Sequence, residues 1–173
     1  MGWNTSALFV RDRSVAEVVD GLRDAGNWQA TGERVPADEA STQSAGGRLY
    51  LAENGGWCHW DPDQRLVLDI DRLLGLGSLG ALKGTRALAL LFSSVSSTYG
   101  LWVFDDGVLV RSAIHHEGEM VQEFGDPLPV ESRLEVPSWG PDEDFLWGVF
   151  QEVTDLRFDS GQLFEVYVDA AKA

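Results

Sequence analysis

The sequence predicts an α+β fold. A single domain over residues 1–173 should carry a mostly antiparallel sheet of about seven or eight strands with about three packed helices. Three observations lead there. Tyr99 to Arg111 reads as a β-hairpin, because Asp105-Asp106-Gly107 supplies the positive-φ residues of a tight turn. Ser14-Val15-Ala16-Glu17 is a capping box, and Pro141 followed by Asp142, Glu143 and Asp144 marks a second helix start. Between them lie short apolar runs joined by turn residues, the pattern of a meander.

In chain order, Ala7-Leu8-Phe9-Val10 is a short buried strand. Helix 14–25 follows, with Val15, Val18, Val19 and Leu22 at helical spacing and Gly26 where a terminating glycine belongs. Residues 28–47 contain Pro36-Ala-Asp-Glu and a Ser/Gly-rich run, and read as surface loop. Arg48 to Ala52, Trp57 to Trp60 and Leu66 to Leu68 form a three-stranded meander turned by Asn54-Gly55-Gly56 and Asp61-Pro62-Asp63. A helix capped at Asp69 or Asp71 runs to about Leu82, weakened by Gly75, Gly77 and Gly80 and stopped by Gly84. Arg86 to Val95 is apolar on both faces, which suits a central strand. Glu119 to Phe124 returns beside the hairpin, and Pro127 and Pro129 end the pairing. Helix 142–154 buries Phe145, Leu146, Val149, Phe150 and Val153, and Leu163 to Val168 is the last strand.

Composition narrows the function classes. The 28 acids against 13 bases leave a net charge of -15, so a phosphate backbone is repelled and nucleic acid is not expected as a partner. Residues 121–173 hold 12 of the acids against only Arg133, Arg157 and Lys172. That third therefore carries a field that would steer a basic partner. Eight Phe, seven Trp and three Tyr supply a core and argue against disorder. The longest apolar run, Ala87 to Phe92, falls far short of the roughly 20 residues a membrane helix needs, so no membrane partner is expected. Cys58 is the only cysteine, and residues 1–13 lack a basic start and an apolar stretch; both point to the cytoplasm.

No motif commits the chain to catalysis. Gly75-Leu-Gly77-Ser-Leu-Gly80 matches a dinucleotide fingerprint in letters, but Gly84 stops the helix that would have to follow. Ser78 misses a nucleophile elbow because Leu76 stands where glycine is required. Ser93, Ser94, Ser96, Ser97 and Thr98 offer hydroxyls without a base nearby in sequence. Cys58 with His59, and His115 with His116, are strand neighbours that point to opposite faces, so neither pair can share one metal. Asp61, Asp63, Asp69 and Asp71 fail the calcium-loop spacing and serve turns and caps. No cofactor and no metal are expected. Trp139, in a Pro/Gly loop, and Trp28, after a helix end, are the tryptophans expected at the surface.

The segments Trp102-Val-Phe-Asp-Asp-Gly-Val-Leu-Val-Arg111, Phe124-Gly-Asp-Pro-Leu-Pro-Val-Glu131 and Phe145-Leu-Trp-Gly-Val-Phe150 carry a resemblance. Together they resemble uncharacterised actinobacterial families in which an Asp-Gly-x-Leu-x-Arg hairpin precedes Gly-x-Pro-Leu-Pro-x-Glu and a short aromatic helix. The likeness covers about residues 87–155, and Val130 replaces an aromatic often found before the final Glu. It implies no activity. Physically, the prolines stiffen the corner and Glu131 is placed to pair with Arg133 or Arg111.

The expected function is a non-enzymatic, cytosolic protein-interaction module with an acidic surface. Its contact residues would be Trp139, Asp142, Glu143, Asp144, Glu131 and Trp28, and its partner a basic protein. Bacterial immunity proteins, which plug basic toxin surfaces, suit this profile by charge alone. The alternative is a hydrolase-like enzyme pairing a serine with His59, His115 or His116, recognisable by a deep pocket of convergent polar groups. A row of exposed tryptophans would instead mark a carbohydrate-binding module.

Overall fold

The structure, a computed structural model, describes residues 4–23, 26–42, 47–53, 60–61 and 83–171. Its architecture is α+β, as the sequence predicts. The elements in order are β1 (Asn4–Val10), α1 (Val15–Gly21), β2 (Trp28–Pro36), α2 (Ala37–Thr42), β3 (Arg48–Leu51) and β4 (Trp60–Asp61). There follow β5 (Arg86–Ser93), β6 (Thr98–Asp105), β7 (Val108–His116), β8 (Glu119–Phe124), α3 (Glu143–Thr154) and β9 (Leu163–Asp169). All strand pairs are antiparallel, in the order β2-β9-β3-β4-β1-β5-β6-β7-β8. The sheet thus consists of a group of five, β1-β5-β6-β7-β8, and a group of three, β2-β9-β3. The two residues of β4 join them, through Tyr50↔Trp60 on one side and Ala7↔Trp60 on the other.

The apolar pattern of β5 explains why it lies inside the sheet. Leu88, Leu90 and Phe92 face one layer, and Ala87, Ala89 and Leu91 face the other. Period-two alternation puts successive side chains on opposite faces, so a strand apolar at every position must be covered twice. On the first face α3 lays down Phe145, Leu146, Val149 and Phe150, and α2 adds Ala37 and Ala40. Trp147 joins this layer, its ring 4.9 Å from both Phe92 and Phe158. On the second face α1 presents Val18 and Leu22 against Leu8, Val10, Leu49 and Leu51.

Local signals explain the starts of α1 and α3. Ser14 caps α1 with the reciprocal Glu17 bonds of a capping box. Asp142 caps α3 by accepting from the Phe145 N–H. The two-residue turns of the β6–β7 and β7–β8 hairpins use paired positive φ values, at Asp106 and Gly107 and again at Glu117 and Gly118.

Two expectations need correction. Helix 14–25 ends early, with Leu22 as its C-cap, because Leu22 is drawn into the core and the chain must turn toward β2. Gly26 has a packing role instead: a Cβ there would lie 2.9 Å from the Trp28 ring. Residues 28–42, expected as loop, form β2 and α2. β2 is an edge strand whose residues from Gln29 to Arg34 are exposed, so it lacks the apolar alternation of a half-buried strand and is held by its ladder with β9. The predicted turn at 54–56, the strands at 57–59 and 66–68, and the helix at about 71–82 lie outside the described residues. So do Cys58, His59, Ser78 and the glycine run at 75–80. Among the described residues the third helix is α2, a stretch that the sequence reads as loop.

One polar cluster ties the far end of the sheet together. Register shifts by one residue between Val103↔Arg111 and Phe104↔Leu109, leaving Val110 as a bulge. The bulge sends Arg111 to the α3 face, where it is 1% exposed. Its Nε and Nη2 donate to Glu131 Oε2 and Oε1 at 3.0 and 2.7 Å. Its Nη1 donates to Glu123 at 2.8 Å and to the carbonyls of Phe124 and Gly125 at 3.3 and 2.9 Å. Glu131 also accepts from the Leu128 N–H at 2.5 Å. Gly125, at φ 73, crosses the bulge so closely that a Cβ would lie 2.0 Å from the Val110 carbonyl oxygen. Burial opposes the charge on Arg111, but the bonds and charges of Glu131 and Glu123 outweigh it and raise its pKa.

Breaking this cluster has unequal costs. Glu131 is 10% exposed and Glu123 is 47% exposed. Glu131→Ala strands a buried guanidinium and should lower stability by about 3–5 kcal/mol. Glu123→Ala, screened by water, should cost ~0–1 kcal/mol. Urea unfolding of the two variants beside the parent checks the contrast.

Candidate functional site

Among the described residues, the most exposed aromatic stands where the β7–β8 turn meets the loop before α3. Gly118 and Gly140 pack backbone on backbone there. A Cβ on Gly118 would lie 2.4 Å from the Trp139 carbonyl oxygen, and one on Gly140 would lie 2.3 Å from Gly118 Cα. Both glycines have positive φ, at 84 and 98, and Gly140 N–H closes a turn on the Pro137 carbonyl at 2.9 Å. The Trp139 main chain is therefore tightly seated while its side chain is 71% exposed. The flanks of Gly118, Glu117 and Glu119, are exposed beside this loop, as are Glu135 on the connection into α3 and Asp144 in its first turn. An indole standing in an acid-rich surface is the result.

The predicted contact residues divide. Trp139 and Asp144 are exposed. Asp142 is half-buried, its carboxylate occupied as the α3 cap. Glu143 is turned toward the β5–β6 turn, where it accepts from Ser94 Oγ, so it is no free surface carboxylate. Glu131 faces inward onto Arg111 and Leu128 N, a framework role in place of the expected contact role. Trp28 was expected at the surface but is half-buried, packed beside the second core layer on β2, the edge strand opposite β8. The sequence reading overlooked Glu117 and Glu119. Their Glu-Gly turn was visible as letters, but its docking on Trp139-Gly140 is a long-range backbone contact.

Trp28 helps line a groove of about 610 Å³ between α1 and the β2–β9 pair, with Val19, Asp20, Arg23, Asn27 and Tyr167. Asp20 and Arg23 satisfy each other at 2.5 Å. Burial, then the Glu165 charge, raises the pKa of Tyr167. The Trp28 indole N–H is buried without an acceptor among the described residues.

The histidines are placed by register. His115 and His116 are the β7 partners of Tyr99 and Thr98. His116 Nδ1 lies 2.9 Å from Thr98 Oγ1, which Ser96 Oγ reaches at 2.9 Å. This brings the hydroxyl run to an imidazole, as the hydrolase reading requires, but as a contact between facing strand residues with His116 exposed. His115 points to the α3 layer, its ring edge-on to Phe145 at 6.3 Å. Among the described residues no group of three His, Cys, Asp or Glu side chains could hold a metal ion. No helix among them is long and apolar enough to cross a membrane.

No family model, curated protein or solved structure matches the chain.

His115 gives that surface a pH-dependent support. Burial lowers its pKa, Glu131 and Glu123 oppose the shift, and Arg111 adds to it. The folded state thus keeps the ring neutral where the unfolded chain already takes a proton. Stability should be unaffected by this residue above the ordinary histidine value of about 6.5 and should fall as pH drops below it. Urea midpoints measured from neutral to mildly acidic pH should decline in the parent and decline less in His115→Gln.

Proposed function

We propose that this chain is a non-enzymatic interaction module that binds a basic protein, with the Trp139 face as its contact surface. The observation that carries this reading is the 71% exposure of Trp139 on a backbone seated by the Gly118–Gly140 contact. A large aromatic on a fixed main chain has only two side-chain torsions to lose on binding, and such residues dominate interface energies. The acids around it set the sign of the partner. Glu117, Glu119, Glu135 and Asp144 lie in a chain of net charge -15, so a basic surface is drawn in and an acidic one is turned away. Plugging a basic toxin, as immunity proteins do, is one activity of this kind.

The test is affinity capture with the parent and Trp139→Ala, each at low and high salt. A basic protein should be retained at low salt and released at high salt. Trp139→Ala should weaken its binding by about 2 kcal/mol, roughly thirtyfold, with an unchanged melting temperature. Binding indifferent to both salt and Trp139 would sink the reading.

A further inference from the structure

We infer that the outer edge of β8 takes up an extended, basic segment of the partner as an added antiparallel or parallel strand. The inference rests on the proposed acidic contact face and names how a partner would engage it. β8 is the last strand of the order β2-β9-β3-β4-β1-β5-β6-β7-β8, and among the described residues it pairs only with β7. All six of its residues are exposed. A strand with one open edge presents a row of main-chain donors and acceptors that another strand can satisfy.

The two edges of the sheet are built differently. Across β2, register with β9 breaks between Ala30 and Arg34, Gly32 sits at φ 81 and Pro36 ends the strand. Those features spoil an edge for pairing. β8 contains neither glycine nor proline, and its single irregularity is one extra residue, Val121, between the pairs Ile114↔Gln122 and His115↔Met120. It also exposes Met120, Val121 and Phe124, an apolar load unusual for a free edge.

Charge chooses the occupant. Glu119 and Glu123 stand on β8 and Asp126 follows it, all exposed or half-exposed. A second copy would bring another -15 and oppose acids with acids. A strand alternating Lys or Arg with apolar residues would instead meet Glu119 with opposite charge, Glu123 being already paired with Arg111, and cover the apolar side chains. The turn end of β8 leads through Gly118 to Trp139, so the added strand would run toward the exposed indole.

The test uses a short peptide alternating lysine and valine, and the same peptide with every backbone nitrogen methylated. Binding is read by fluorescence anisotropy, and amide hydrogen exchange is followed at Glu119–Phe124. The unmethylated peptide should bind, slow exchange in β8, and exceed its methylated counterpart by at least about tenfold. Val121→Lys should weaken it several-fold without altering the fold. Equal binding of the two peptides with β8 exchange unchanged would overturn strand addition while leaving a charge-driven contact face intact. Failure of both peptides to bind, while a captured partner still depends on Trp139, would overturn it too. Peptide binding that slows β8 exchange and ignores Trp139→Ala would uphold the edge and refute the Trp139 reading. Self-association of the chain through a protected β8 would replace the basic partner with a second copy.

Discussion

Arg111 is the point on which this end of the molecule depends. A guanidinium that is nearly dry must have its donors met, and a loop that supplies the acceptors has little freedom to be elsewhere. The Val110 bulge aims the side chain inward, Gly125 crosses the bulge at a distance no side chain tolerates, and Glu131 closes a two-point bond. Through Leu128 and Val130 the same corner enters the core beneath α3. The position of the segment leading to Trp139 therefore descends from one ion cluster.

The double-faced sheet sets the remaining geometry. β5 is apolar at nearly every position and draws helices to both sides, α3 and α2 on one and α1 on the other. Cover is ample at the middle of the sheet and thin at β8, whose residues are all exposed. The outer strand and the Trp139 loop therefore come together as a thinly covered end of the described fold. Contact with a basic partner would then need no rearrangement of the core.

The Asp-Gly hairpin follows directly from its own residues. Asp106 and Gly107 adopt the positive φ values that their types allow most readily, and the turn follows from chemistry confined to adjacent residues. The Ser14–Glu17 capping box and the Asp142 cap are equally local. So is the split of β5 between two faces, which its unbroken apolar run requires. Arg111 with Glu131 stood on the border: the two charges were readable as partners, and Arg133 was an equal candidate until burial separated them. Arg133 is exposed and pairs with Glu152 instead.

Sequence alone determined the α+β class, the main hairpin, the boundaries of α3 and the sign of the surface charge, because turns, caps, periodicity and ionisation depend on residue type and near neighbours. Tertiary structure decided that residues 28–36 form a strand, since an exposed edge strand is held by a ladder to β9 more than a hundred residues away and carries no apolar signature of its own. It also decided which acids remain at the surface. Glu131 and Glu143 are drawn inward by Arg111 and Ser94, while Glu117 and Glu119 are carried beside Trp139 by a glycine-on-glycine contact. Such choices depend on which backbones can approach closely, a property of the assembled chain.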